Sequence, residues 1–150
     1  FVDVLVIRAC SLLMVCLMAH ASLGALDAGQ AAVVANGRAL ALEGAEGTAA
    51  MLERVTGLRS AGRVSDKGGV LVKTMKPGQD TRFDLPTIGV DTVIQARAAG
   101  LNAIGVEAEV TLMLERNAII EVADDARIAL FGFAQSRSSR QMHSTGDLNG

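Results

Sequence analysis

Hydrophobic and polar positions divide the chain into three unequal parts. From Ala9 to Leu26 no residue carries a full charge. The middle of the chain breaks into short apolar runs separated by turn residues, and from Gln135 onward Ser, Arg, Gln and Gly prevail without any strand-length apolar run. A folded core is therefore expected from the middle part, residues 27–134, with residues 1–26 as an apolar leading segment and 135–150 as a disordered polar tail.

Within the middle part, Gln30–Ala35 and Arg38–Leu42 are apolar runs joined by Asn36-Gly37. That dipeptide tolerates the two positive φ angles of a type I′ turn, so the pair predicts an antiparallel hairpin. Thr48 is a plausible N-cap for a helix running to Thr56 or Leu58. Leu58–Gly69 mixes charge with Gly and Ser and predicts a loop, after which Val70-Leu71-Val72 is a short buried strand. Lys73–Gly89 holds both prolines of the protein and little periodicity, so it predicts a long ordered loop; loops of that length inside compact domains usually carry function. Asp91 to Gly100 predicts a helix, with glycine at its C-terminal cap. Ala103–Glu107 and Thr111–Leu114 follow as strands. Glu115–Asp125 is the next helix, with Ile119, Ile120 and Val122 available for burial, and Ile128–Phe133 is a final strand. The order implies an α/β fold: one layered domain with a mixed sheet of about five to six strands flanked by helices.

Composition narrows this picture in two ways. Half of the residues are hydrophobic, yet the only aromatic residues are four Phe, so the core is built from Ala, Val, Leu, Ile and Met. With 14 Lys and Arg against 16 Asp and Glu, the formal net charge of −2 supplies no global field for a polyanion, and nucleic acid is not an expected partner. Cys10 and Cys16 sit in the apolar leading segment without metal-type spacing and read as small core residues. That segment has two readings. Ser11–Ala19 followed by Ala19-His20-Ala21 suits an export signal or a membrane segment, although Asp3 lies where a positive leader would stand. The alternative is an amphipathic or buried helix ending near Leu26-Asp27. His20 and His143 read as a tolerated apolar-segment residue and a solvated tail residue.

Chemistry concentrates between Lys73 and Gly89. Lys73, Lys76 and Arg82 can neutralise phosphate oxygens, Arg in a bidentate manner, while a carboxylate can hold a divalent ion that polarises a phosphoryl centre and orients water. The bland alternative is a solvated charged loop. Pro77 and Pro86 stiffen the segment, Gly78 and Gly89 permit tight turns, and Gly89 precedes a helix whose first N–H groups favour anions. No Walker-type loop, His-Glu-x-x-His, zinc-type cysteine pairing or Ser-His-Asp set competes with it.

These residues resemble a known family. Gly68–Lys73, Lys76-Pro77-Gly78-Gln79-Asp80 and Arg82-Phe83-Asp84-Leu85-Pro86-Thr87-Ile88-Gly89 look like the signature of the LpxI-type UDP-2,3-diacylglucosamine pyrophosphatases, C-terminal domain. So do Leu26–Gln30, Glu43–Thr48, Ala99-Gly100-Leu101 and Val106-Glu107-Ala108. The resemblance implies Mg2+-dependent hydrolysis of UDP-2,3-diacylglucosamine to UMP and lipid X. It also implies a cytoplasmic enzyme acting peripherally at the inner membrane surface of a Gram-negative bacterium. It makes Asp84 the catalytic carboxylate, with metal binding or water orientation as its role. Lys76, Gln79, Arg82 and Thr87 match the flanking motif, and with Lys73 and Thr48 they form the expected substrate-binding set. The family's proteins are about twice as long, with an N-terminal domain packed against this one. That domain is missing here, and a homodimer is one way of replacing it. Glu109-Val110 stands where the family more often has a glycine and a basic residue. Two other classes compete: a non-catalytic module that keeps the fold and a nucleotide or phospholipid site, and an interaction domain tethered to a bilayer through Cys10–Leu26.

Overall fold

A computed structural model of the protein describes residues 29–65, 67–75 and 85–134. The leading segment with Cys10, Cys16 and His20, the tail with His143, and residues 76–84 lie outside the described residues.

The hairpin forms as its turn chemistry requires. Strands β1 (Ala31–Ala35) and β2 (Arg38–Leu42) pair antiparallel. Asn36 and Gly37 take φ of 52° and 74°, the double left-handed turn that an L residue with a bulkier side chain would resist. Helix α1 (Gly47–Ser60) follows. It differs from expectation at both ends. Its N-cap is Glu46, which makes no side-chain capping bond, and Thr48 lies inside the first turn with its hydroxyl engaged elsewhere. At the other end the helix runs past Leu58 because Arg59 is buried and its guanidinium donates to the carbonyls of Ser65 and Gly68. Arg59 thus holds down the loop predicted to begin at Leu58.

Strand β3 (Val70–Lys73) enters the middle of the sheet. A strand not anticipated from the pattern, β4 (Thr87–Ile88), is only two residues long and precedes α2 (Val90–Ala98). Then come β5 (Ala103–Glu107), β6 (Leu112–Met113), α3 (Arg116–Ala126) and β7 (Ala129–Phe133). The main sheet has the order β2-β1-β3-β5-β7. β1 runs antiparallel to both neighbours, while β3, β5 and β7 are parallel. β4 and β6 form a separate two-stranded parallel sheet. The α/β class and the mixed five-stranded sheet agree with the sequence reading. The strand pattern does not reveal that Thr111–Leu114 contributes to a different sheet, because a two-residue pairing leaves no periodicity to read.

All three helices turn their apolar residues toward one face of the main sheet. Met51, Leu52 and Val55 from α1, Val93 and Ala96 from α2, and Ile119 and Ala123 from α3 pack there with Val33, Leu71 and Ile104. Alternation along the strands sends Val34, Val70, Val72 and Phe133 to the opposite face as a second cluster. Gly105 lies in that alternation, and a Cβ there would come within 2.6 Å of the Phe131 ring, so a side chain at 105 would displace the ring. Ile120, expected in the core, is 38% exposed because α3 turns Ile119 inward instead. Among the described residues, no helix is long and apolar enough to cross a membrane.

Candidate functional site

The parallel strands β3, β5 and β7 end on the same side of the sheet, the side where ligands bind in open α/β sheets. Lys73 is the last residue of β3, and it is not a loop residue as the sequence suggested. Its neighbours are strand and helix, so the side chain is only 8% exposed. The ammonium donates to the Thr48 hydroxyl at 3.0 Å and to the Thr87 carbonyl at 2.9 Å. These bonds use two of its three N–H groups. Burial holds the Lys73 amine below the usual lysine range, and the Glu43 carboxylate pulls it partway back up.

Three expected substrate-binding residues, Lys73, Thr48 and Thr87, therefore meet at one point. They meet in roles that the sequence did not specify. The Thr48 hydroxyl accepts from Lys73 and donates to Glu43 Oε1 at 2.6 Å, while Glu43 Oε2 accepts the Gln30 N–H at 2.6 Å. Thr87 contributes its carbonyl; its hydroxyl donates back to the Leu85 carbonyl at 3.1 Å and is thereby held against its own backbone. Lys76, Gln79, Arg82 and the expected catalytic and metal-binding residue Asp84 lie outside the described residues.

Both stems of that segment are fastened. On the incoming side, the Met75 N–H donates to Glu107 Oε2 at 2.9 Å, with Glu107 buried at the end of β5. On the outgoing side, Pro86 and Ile88 accept from the N–H groups of Leu112 and Leu114 on the β6 arm at 2.8 and 3.0 Å. Lys73 then ties one stem to the other through Thr87. Gly89 is the N-cap of α2, with φ near −135° and ψ near −177°, an extended conformation that any residue adopts; the expectation that its glycine freedom shapes the turn does not hold there. The Thr92 hydroxyl accepts the Gly89 N–H at 3.2 Å and caps the helix.

Sequence reasoning missed the roles of Glu43 and Glu107. Each had a signal: a carboxylate placed directly at the end of an apolar strand run, where solvent exposure is not assured. Glu109 adds a third observation. It has φ of 67°, the left-handed region, at the position where the resembling family more often has glycine.

The class defined by fold and site is an α/β domain whose carboxyl sheet edge carries a buried ammonium that donates to two groups among the described residues. The chain belongs to the LpxI C-terminal domain family, whose pattern matches residues 12–131. It is 50% identical over 112 residues to the UDP-2,3-diacylglucosamine pyrophosphatase LpxI of Caulobacter vibrioides. That similarity spans 73% of this chain and 40% of the length of the relative.

Proposed function

We propose that this chain is the chemistry-bearing part of a UDP-2,3-diacylglucosamine pyrophosphatase, acting in lipid A biosynthesis. The reaction is addition of water to one phosphorus of the diphosphate, cleavage of the bridging P–O bond, and release of UMP and 2,3-diacylglucosamine 1-phosphate, which is lipid X. The observation that carries this reading is the buried Lys73 ammonium, held by Thr48 and Thr87 between the two stems of the segment that contains Asp84. A nonbridging phosphate oxygen is the natural acceptor for its third N–H, and a charge-assisted bond in a partly dry site is among the stronger ones. Half identity to a protein of that activity supports the same assignment.

Among the described residues, no group of three or more His, Cys, Asp and Glu side chains could hold a metal ion. The Mg2+ ion therefore rests in this proposal on Asp84, where it would supply charge neutralisation at the phosphoryl centre. Lys76, Gln79 and Arg82 would bind the diphosphate and nucleotide from the same segment. The partners are then the UDP-linked acylated glucosamine, an N-terminal domain or a second copy that completes the site, and the inner membrane surface on its cytoplasmic side.

Purified chain with Mg2+ and UDP-2,3-diacylglucosamine should release UMP, and Asp84→Ala should not. Equal rates for the two proteins would refute the assignment of Asp84. The second reading is a module that binds nucleotide or phospholipid without turnover. Retention of UMP or lipid X with no hydrolysis at any Mg2+ concentration would select it.

A further inference from the structure

The face of the main sheet turned away from the three helices is dry. Val34, Val70, Val72 and Phe133 point to it, and none of them exceeds 7% exposure. Ala103 and Phe131 pack against them, so the cluster consists of strand residues alone. The apolar residues of α1, α2 and α3 all belong to the other face. Parallel strands such as β3, β5 and β7 are as a rule covered on both faces, and side chains this well buried need a second apolar layer above them.

Apart from Asp66, three stretches lie outside the described residues: 1–28, 76–84 and 135–150. Residues 76–84 hold one large apolar side chain, Phe83, and residues 135–150 hold two, Met142 and Leu148. Neither carries enough hydrocarbon to dry a face that extends from β1 to β7. The leading stretch does. Ala9–Leu26 runs for 18 residues without a full charge, with Leu12-Leu13-Met14-Val15 and Leu17-Met18 at its centre. A segment apolar on every side, taken as a helix, belongs in an interior. Its length also fits: 18 helical residues reach about 27 Å, and the four gaps between five strands span about 19 Å.

The chain enters the sheet where this packing requires. The Gly29 N–H donates to the Glu43 carbonyl at 2.7 Å and the Gln30 N–H to the Glu43 carboxylate at 2.6 Å, which fixes the approach to β1. Ala32, two residues on, is registered with Val72 and so faces the covered side. We infer that residues 9–26 lie across this face as the second layer of the sheet, an intramolecular partner and neither an export signal nor a bilayer anchor. Any further domain or second copy then docks on another surface.

The test uses the full chain with p-benzoylphenylalanine in place of Phe133, a ring for a ring inside the covered cluster. A second protein carries it in place of Phe131, at the cluster's margin. Illumination of the purified monomer, followed by peptide mass spectrometry, should place the new bond within residues 9–26 in at least one of the two. A bond to residues 76–84, to residues 135–150 or to another molecule overturns the inference. So does the absence of any cross-link from proteins that melt as wild type does. Hydrogen exchange of the unsubstituted chain decides the matter without any substitution. Amides of residues 9–26 should exchange at least about 100-fold more slowly than in an unstructured peptide, and exchange at the unstructured rate overturns the inference. Recovery of the chain cut after Ala21, or only in a membrane pellet, overturns it too, because the segment is then a signal or an anchor.

Discussion

The two halves of the main sheet are built on different terms. The antiparallel half, β2 and β1, is closed by a local turn whose two residues carry the required positive φ angles, and its two strands are consecutive in sequence. The parallel half, β3, β5 and β7, is joined through helices, and its carboxyl edge is held by side chains from distant positions: Glu107 on Met75, Lys73 on Thr48 and Thr87. Local chemistry makes a scaffold, and long-range polar bonds make a site. Besides the β1–β3 ladder, the two halves are linked through Glu43, just after β2, whose carboxylate reaches the Lys73 corner through Thr48.

Breaking that junction should give the largest effect. Lys73→Met removes a charged donor, and kcat/KM for UDP-2,3-diacylglucosamine should fall roughly 10- to 100-fold, the loss expected for a hydrogen bond to a charged group. Glu43→Gln sharpens the point through pH. Only the protonated Lys73 carries a charge and a third N–H beyond those given to Thr48 and Thr87, so ligand affinity should be lost as pH rises through its lowered pKa. Glu43 raises that pKa, so its neutralisation should move the alkaline limb of binding to lower pH. An unmoved limb in a pH titration of UMP or substrate affinity would show that Glu43 only orients Thr48.

Next in size is the stem. Glu107→Ala leaves the Met75 N–H without its carboxylate and should cost about 1–3 kcal/mol in urea unfolding, with a loss of activity larger than the Lys73 corner alone would predict from stability. Unchanged stability would mean that water or another group replaces the carboxylate.

The smallest effects compare turns. Gly37→Ala puts a side chain at φ 74° in the hairpin and should destabilise by about 1 kcal/mol. Glu109→Gly relieves φ 67° at the carboxyl edge and should stabilise by about 1 kcal/mol, even after the added freedom of the unfolded chain is counted. Thermal melts of the two variants should move in opposite directions. If Glu109→Gly is neutral or destabilising, the Glu109 side chain makes a compensating contribution at that edge.

How far the site was legible follows from the range of its bonds. The Asn36-Gly37 turn, the run Val70–Val72 and the helix before Gly100 depend on residues within a few positions of one another, so their residues announce them. β4 escaped notice because a two-residue strand carries no pattern, and β6, foreseen as a strand at Thr111–Leu114, gave no sign that it pairs with β4 in a separate sheet. Thr48 was read as a cap because a threonine before a helix usually is one; it lies instead inside the first turn, where its hydroxyl donates to a carboxylate five positions earlier and accepts from Lys73. Glu43 and Glu107 appeared only as members of a family resemblance, since nothing in a linear reading says which strand-end carboxylate will be buried.

Sequence by itself determined the fold class, the family and the charged segment around Asp84, because apolar periodicity, turn residues and motif spacing are local quantities. Tertiary structure alone decided that Lys73 closes a strand and sits buried, that it meets groups 25 and 14 positions away, and that Met75 is held by a carboxylate 32 positions on. The physical reason is that burial and hydrogen-bond geometry depend on which strands become neighbours, and β3 becomes the neighbour of β1 and β5 only when the sheet assembles.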